Sequence, residues 1–110
     1  NLVPARFDSG RFHLPEGTLP SNWRGGPGDI LLGIRAESFH VANDRVDDGL
    51  PMQVGYIEEL GAQRLVHGSL SESPVAVVVD AATEVGDTLW LTADPEALHV
   101  FDKKSGLRLG

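Results

Sequence analysis

The sequence predicts an all-β fold, a small Greek-key barrel with short helical turns only. Three observations lead to this prediction. The 110 residues include 13 glycines and 7 prolines, which indicates many turns. Extended apolar or β-branched segments recur about every ten residues between these turns, a spacing typical of sandwiches and barrels. No segment keeps the 3.6-residue period of an amphipathic helix for ten residues, so no long helix is expected.

Residues 28–37 predict the central strand, with a turn, an apolar run and a polar end. Ile30, Leu32 and Ile34 share one strand face. Because Leu31 makes the opposite face apolar as well, we expect this strand to be covered on both sides.

The end of the central strand carries the most specific polar pair of the chain. Gly33 has no side chain, which indicates that a bulky side chain or another backbone passes close over it. Arg35 lies where the strand reaches the surface, and Glu37 is near enough in sequence to pair with it. The pair is interpreted either as a strand-end contact worth about 0–1 kcal/mol or as a fixed charge at a subunit or interdomain contact.

Two reversals and a loop precede the central strand. The Asp-Ser-Gly turn at 8–10, flanked by aromatic residues, predicts a hairpin, and 14–20 predict a second short reversal. Residues 21–28, with their Gly-Gly-Pro-Gly run, predict a loop. Large aromatic side chains are enriched at interfaces, so Trp23 in this loop is either an interface residue or a lid over the end of the barrel.

The polar stretch 43–49 is expected to divide a single domain, 1–110, into two parts. Residues 1–42 would form the first lobe with the central strand, and they include a helical turn at 36–40. Residues 50–110 would supply a second set of strands.

The second part predicts further strands and another helical turn. The strands are expected at 50–60, 64–70, 75–80, 88–92 and 99–102. Asp94 is suited to cap a helical turn at 94–98, and Pro95 suits its first position. The aromatic residues of these strands are expected in the core or the barrel wall: Tyr56, Trp90 and Phe101.

Composition narrows the classes of function. The net charge of −7 and the scattered basic residues argue against binding to a nucleic-acid backbone, which needs clustered Lys and Arg. The absence of cysteine excludes disulfides and thiolate metal sites. No apolar run approaches the ~20 residues of a membrane span.

Motifs for catalysis, phosphate binding and metal binding are missing. The Gly-rich run 25–28 is followed by Asp29, without the lysine of a phosphate-binding loop. The acidic stretch 44–49 lacks the glutamate that a calcium loop places six residues after its glycine. The four histidines share no short ligand spacing. We therefore expect no catalytic residue, no cofactor and no metal in this segment.

A family resemblance begins at Gly33-Ile34-Arg35-Ala36-Glu37 and continues in order along the chain. Ala36 and Ser38 depart from a Gly-Ile-Arg-Pro-Glu-His motif that ends a strand. A Glu-x-Leu-Gly turn follows, and later an Asp-Pro-Glu-x-x-His-x-Phe-Asp segment and a Ser-Gly-x-Arg-Leu ending. The residues that match most specifically are Gly33, Ile34, Arg35, Glu37, Gly61, Asp94, Pro95, Glu96, His99, Phe101 and Asp102.

With these motifs the chain resembles the C-terminal regulatory domain, of the TOBE type, in the ATP-binding subunits of sugar-importing ABC transporters related to the maltose transporter. The resemblance implies an OB-fold-like barrel, similar to molybdate-binding domains. It implies a non-catalytic domain that follows an ATPase domain, helps two subunits dimerise and takes regulatory inputs. The chain has no starting Met, so we expect a piece of a longer protein.

The same resemblance implies partners and a location. The expected partners are a second copy, the ATPase domain of the same chain, a regulatory protein and, indirectly, the membrane subunits, but no nucleic acid. ATP and Mg would bind the ATPase domain, and the protein would be cytoplasmic, at the inner face of the cell membrane. Trp23, Arg35 and Glu37 are the candidate interface residues. The alternative function is a small-ligand module that binds an oxyanion or a sugar.

Overall fold

Ten strands and two short 3-10 turns make up the structure, a computed structural model that describes all 110 residues, Asn1–Gly110. The strands are β1 (Leu2–Asp8), β2 (Arg11–Leu14), β3 (Gly17–Pro20), β4 (Gly28–Gly33), β5 (Phe39–Ala42), β6 (Leu50–Glu59), β7 (Gln63–Leu70), β8 (Ser73–Asp80), β9 (Thr88–Ala93) and β10 (His99–Phe101). The turns are η1 (Ala36–Ser38) and η2 (Pro95–Ala97). The all-β prediction is confirmed. Neither helical turn is long enough to cross a membrane.

The strands form two five-stranded sheets. The first sheet has the order β10-β4-β1-β2-β3, and the second has the order β5-β9-β6-β7-β8. In each sheet three consecutive antiparallel strands are followed by a fourth that returns beside the first, which is the Greek-key order. β4 returns beside β1, and β9 returns beside β6.

The sheets divide the chain differently from the two lobes expected at 43–49. β5 precedes this polar loop but pairs with β9 in the second sheet. β10 comes from the second part but pairs with β4 in the first sheet. Each sheet therefore contains one strand from the other part of the chain. The chain passes from the first sheet to the second at η1, between β4 and β5, and returns at η2, between β9 and β10. We call these two segments the crossings.

The two crossings have similar sequences, so they form an internal repeat. Residues 37–41 read Glu-Ser-Phe-His-Val and residues 96–100 read Glu-Ala-Leu-His-Val. Their strand registers agree: His40 lies opposite Thr92, and His99 lies opposite Gly33. The next pairs also correspond, with Val41 opposite Leu91 and Val100 opposite Leu32.

One core fills the space between the sheets. It holds 21 buried apolar residues and no buried charged or polar side chain. β1 shows the pattern most clearly, because Val3, Ala5 and Phe7 are buried while the residues between them are exposed. Leu32 of β4 and Leu91 of β9 are fully buried. Burial of a Leu or Val side chain stabilises a fold by about 1.5–3 kcal/mol, so these strands hold the two sheets together.

The long strand β6 corrects the interpretation of Tyr56. The ladder with β7 shifts register between Val54 and Tyr56, so the strand contains a bulge at Gly55. Tyr56 is consequently 64% exposed instead of lying in the barrel wall. It stacks on His67 with ring centroids 4.4 Å apart. Because the bulge interrupts the alternation of faces, Tyr56 does not share the buried face of Met52.

Asp94 does not cap its turn through its side chain, although it is the N-cap residue of η2. Its backbone carbonyl accepts a hydrogen bond from the Ala97 N–H at 2.9 Å. Its carboxylate instead lies 3.3 Å from His40 Nε2, which joins η2 to β5. The expected helical turn is present, and the expected side-chain cap is replaced by this contact.

Candidate functional site

The outer face of the first sheet is the candidate site. This outer face comprises the residues of β1, β4 and β10 that alternate with the buried ones. Two rows run across it in the strand pairings. One row contains Pro4, Leu31, Phe101 and Arg108, and the other contains Leu2, Gly33 and His99.

Gly33 is the point of closest approach on this face. A Cβ atom at Gly33 would lie 2.6 Å from Phe101 Cε2 and 3.4 Å from Leu2 Cδ2. The expected close approach of a bulky side chain is therefore present, and the side chain is the ring of Phe101. Leu31, which pairs with Phe101, is half-buried on the outer face of β4, so this face of the strand is partly covered.

Basic side chains surround a groove beside this ring. The groove has a volume of about 420 Å³ and is lined by Asn1, Leu2, Gly33, Ile34, Arg35, His99, Phe101 and Arg108. Arg108 Nη2 donates a hydrogen bond to His99 Nδ1 at 2.7 Å. The lining includes no carboxylate, although the chain carries a net charge of −7. The groove is thus a local region of positive charge on an acidic domain.

The C-terminal segment is held against β10 by a tight turn at Asp102. The Ser105 hydroxyl donates to Asp102 Oδ2 at 2.8 Å, and the Lys104 N–H donates to Oδ1 at 3.1 Å. These two hydrogen bonds lower the pKa of Asp102 below its ordinary value of 3.8. The Leu109 N–H then donates to the Val100 carbonyl at 2.6 Å. This turn places Arg108 beside His99.

The ion pair suggested for Arg35 and Glu37 is absent. Both side chains are exposed, and Arg35 is in no ion pair or side-chain hydrogen bond. Residues two apart share a face only in a continuous strand, and η1 begins at Ala36. The turn is held by its backbone instead, since the Ser38 N–H donates to the Arg35 carbonyl at 3.0 Å.

The family-motif residues do not all meet at one place. Five of them line the groove: Gly33, Arg35, His99, Phe101 and the largely buried Ile34. The others lie elsewhere: Gly61 with φ 90° in the β6–β7 turn, Glu37 in η1, Pro95 and Glu96 in η2, Asp94 beside His40, and Asp102 in the C-terminal turn.

Trp23 lies away from the outer face. Its ring meets Phe7 edge-on with centroids 4.9 Å apart, and it packs against the core. It also closes over the backbone at Gly110, where a Cβ atom would lie 2.7 Å from Trp23 Cδ1. This geometry corresponds to the interpretation of Trp23 as a lid.

Leu2 and Arg108 were not among the candidate site residues. Leu2 reaches the groove through its pairing with Gly33, and Arg108 through its bridge to Phe101. Both contacts depend on strand register between distant parts of the chain. A partial signal existed for Arg108, because it belongs to the Ser-Gly-x-Arg-Leu ending.

Comparison with known proteins adds independent information. The TOBE domain family model matches residues 32–101, from the end of β4 through β10. The chain is similar to the sn-glycerol-3-phosphate import ATP-binding protein UgpC of Pectobacterium atrosepticum, with 36% identity over 109 residues that cover 94% of this chain and 29% of the relative.

Two further relatives carry the same name. In Cupriavidus metallidurans the identity is 38% over 101 residues, which cover 88% of this chain and 25% of the relative. In Ruegeria the identity is 31% over 115 residues, which cover 99% of this chain and 31% of the relative. The chain thus spans less than a third of the length of these curated relatives.

Proposed function

The chain belongs to the TOBE domain family, as its motifs indicated, and on that premise we propose that it is the non-catalytic regulatory and dimerisation domain of an ATP-binding protein of an ABC-type sugar importer. The observation that carries the proposal is the pattern of coverage. Nearly the whole chain matches import ATP-binding proteins, while it accounts for only 29% of such a relative. The remaining length suffices for a separate ATPase domain.

The names of the relatives suggest the transported compound. They are import ATP-binding proteins for sn-glycerol-3-phosphate. We extend this to the parent protein of the present chain, which would then act at the cytoplasmic face of the membrane with transporter membrane subunits. ATP and Mg would bind its ATPase domain, and a regulatory protein would act through the TOBE domain.

Several features support a role without catalysis for this segment. Residues 25–27 form an exposed or half-exposed loop with no lysine, and the strand β4 follows them instead of a helix that could hold phosphates. No buried polar side chain lies in the core. Exposed apolar and charged side chains of the outer face suit contact with another protein surface instead.

The outer face is the proposed dimer contact. Its apolar centre, made by Leu2, Pro4, Leu31 and Phe101, lies between charged residues, which is the usual arrangement of a protein interface. Leu2 is 55% exposed in the single chain, so pairing with a second copy would remove apolar surface from water. Arg35 lies at the edge of this face, and Glu37 lies on the adjoining η1 turn.

Enzymology of the parent protein tests the proposal. The reading frame that encodes this segment is expected to contain a Gly-x-x-x-x-Gly-Lys-Ser/Thr loop ahead of it. The parent protein should hydrolyse ATP, and the segment 1–110 alone should not. Deletion of the segment should leave ATP binding in place and weaken self-association. A parent protein without the phosphate loop, or ATP hydrolysis by the isolated segment, would contradict the proposal.

A further inference from the structure

The two internal repeats differ at one position that changes their chemistry. Asp94 is the N-cap residue of η2, and its carboxylate lies 3.3 Å from His40. Exchanging the two repeats gives the corresponding pair, which is Arg35, the N-cap residue of η1, with His99. The Asp94 carboxylate thus lies beside His40, whereas the position equivalent to Asp94 in the other pair carries the guanidinium group of Arg35.

The groove that contains Arg35 and His99 has no carboxylate of the protein to balance its arginines. Arg35 makes no ion pair or side-chain hydrogen bond, and Arg108 binds only the His99 ring. Arginine can only donate, so His99 Nδ1 accepts and the proton of the neutral ring is on Nε2. Two guanidinium groups, both with N–H donors that have no protein acceptor, therefore line a groove that contains no Asp or Glu.

We propose that this groove binds a small phosphorylated anion, with the phosphoryl group held by the guanidinium groups of Arg35 and Arg108. The planar guanidinium fork matches two oxygens of a phosphate and binds them with charge-assisted hydrogen bonds. His99 is a positioning residue, since its Nδ1 fixes the Arg108 side chain. The bound anion would supply the negative charge that the Asp94 carboxylate supplies beside His40.

The shape of the groove favours a small compound over a protein segment. Its volume of about 420 Å³ falls in the range of small-molecule sites. Leu2 and the edge of Phe101 provide an apolar wall for a short carbon skeleton. The inference goes beyond the proposed function, because it requires neither the dimer nor the ATPase domain.

Titration followed by amide NMR tests this inference on segment 1–110 at a concentration where sedimentation shows a monomer, because Leu2 and Phe101 belong to the proposed dimer contact as well as to the groove. The chain should carry an acetylated amino terminus, because Asn1 lines the groove and its free amine would add a charge. The probes are sn-glycerol-3-phosphate, inorganic phosphate, glycerol and a short peptide of glutamates. We expect saturable shifts at Gly33, Arg35, His99 and Phe101 with at least one of the two phosphates, and none with glycerol.

The two phosphates distinguish the source of the anion. Tighter binding of the glycerol ester would identify a phosphate monoester, and equal binding would identify free phosphate as sufficient. Both results support the inference. Saturation by the glutamate peptide with no response to either phosphate would overturn it in favour of an acidic protein partner. No saturable shift in the groove with any probe at about 10 mM, weaker than ordinary small-ligand affinity, would also overturn it.

Matched charge variants separate a built site from general attraction. Arg35→Ala and Arg108→Ala should each weaken phosphate binding about tenfold or more, as expected for loss of a charge-assisted contact. Arg108→Lys should restore only part of the loss, because it keeps the charge without the fork. Arg24→Ala removes the same charge from an exposed residue outside the groove and should leave affinity within about twofold.

Arg35→Asp recreates the arrangement of the other crossing. Its carboxylate should take the place of the ligand and abolish binding, whereas Arg24→Asp, with the same change in charge, should not. Thermal unfolding of each variant checks that the fold is kept, which the exposure of Arg24, Arg35 and Arg108 favours. Equal loss in the Arg24 and Arg35 variants would overturn the inference, since it would show long-range charge alone.

Discussion

Gly33 shows how one missing side chain organises the outer face. Its backbone leaves room for the Phe101 ring, which lies where a Cβ atom would be. A close contact at Gly33 could be predicted from the sequence, because a glycine inside an apolar strand indicates the close approach of another group. The identity of that group was not foreseeable, since β10 comes from the far end of the chain.

Gly33→Ala is therefore expected to destabilise the domain. The new methyl group would lie 2.6 Å from Phe101 Cε2 and must displace the ring. Overpacking of this kind typically costs about 1–3 kcal/mol, which should appear as a lower urea midpoint. Gly26→Ala is the matched control, because a Cβ atom there meets nothing within 4 Å, and it should change stability by at most about 0.5 kcal/mol. Equal stability of the two variants would contradict the close approach.

Asp102 is expected to make stability depend on pH in the acid range. Its folded-state pKa is lowered, chiefly by the Ser105 hydroxyl, so the ionised carboxylate stabilises the fold above the ordinary, unfolded-state pKa of 3.8. This contribution is lost as the pH falls through the folded-state value. The difference in Tm between the wild type and Asp102→Ala should thus be larger at pH ~6 than at pH ~2.5. These two pH values lie above and below the ordinary carboxyl pKa of about 4.

Ser105→Ala provides the control for this titration. It removes the main cause of the lowered pKa while leaving the carboxylate in place. The acid-range dependence of its Tm should be weaker than that of the wild type. An unchanged pH profile in both variants would show that the turn at Asp102 does not depend on this carboxylate.

At the level of elements, β7 lies in close backbone contact with β6 at Gly68. A Cβ atom at Gly68 would overlap the Gln53 carbonyl oxygen and lie 2.8 Å from Met52 Cε. A carbonyl within a strand ladder cannot move without loss of pairing, unlike the free edge of an aromatic ring. Gly68→Ala should therefore cost more than Gly33→Ala, about 3 kcal/mol or more. Chemical denaturation of both variants checks the order, and a smaller effect at Gly68 would contradict this packing.

Local sequence patterns were sufficient to predict most strands and turns, but they were insufficient to predict how the strands pair. The turn at 8–10 is recognisable because Ser9 and Gly10 both adopt positive φ, as hairpin turns require. The bulge at Gly55 was missed because it depends on pairing with β7, and Tyr56 was consequently assigned to the wrong environment. Likewise, short segments such as β5 and β10 do not carry information about the sheet that they join.

At the scale of the whole molecule, the two crossings tie the sheets into one unit. β5 adds an edge strand to the Greek key of β6–β9, and β10 adds one to the Greek key of β1–β4, so each sheet contains a strand from the other part of the chain. The family motifs Gly33, His99 and Phe101 could be selected from the sequence, because they belong to recognisable segments. Their meeting point with Leu2 and Arg108 could not, because it requires the register of four distant segments.

The proposed dimer would form through the outer face of the first sheet. Sedimentation equilibrium of segment 1–110 over a range of concentrations measures this self-association, with Leu2→Asp as the variant and Leu60→Asp as the control. The two leucines are matched in exposure, at 55% and 51%, but only Leu2 lies on the outer face. We expect a reversible dimer in the wild type and in Leu60→Asp, and a monomer in Leu2→Asp. A wild-type monomer at every concentration, or a dimer unaffected by Leu2→Asp, would contradict the account.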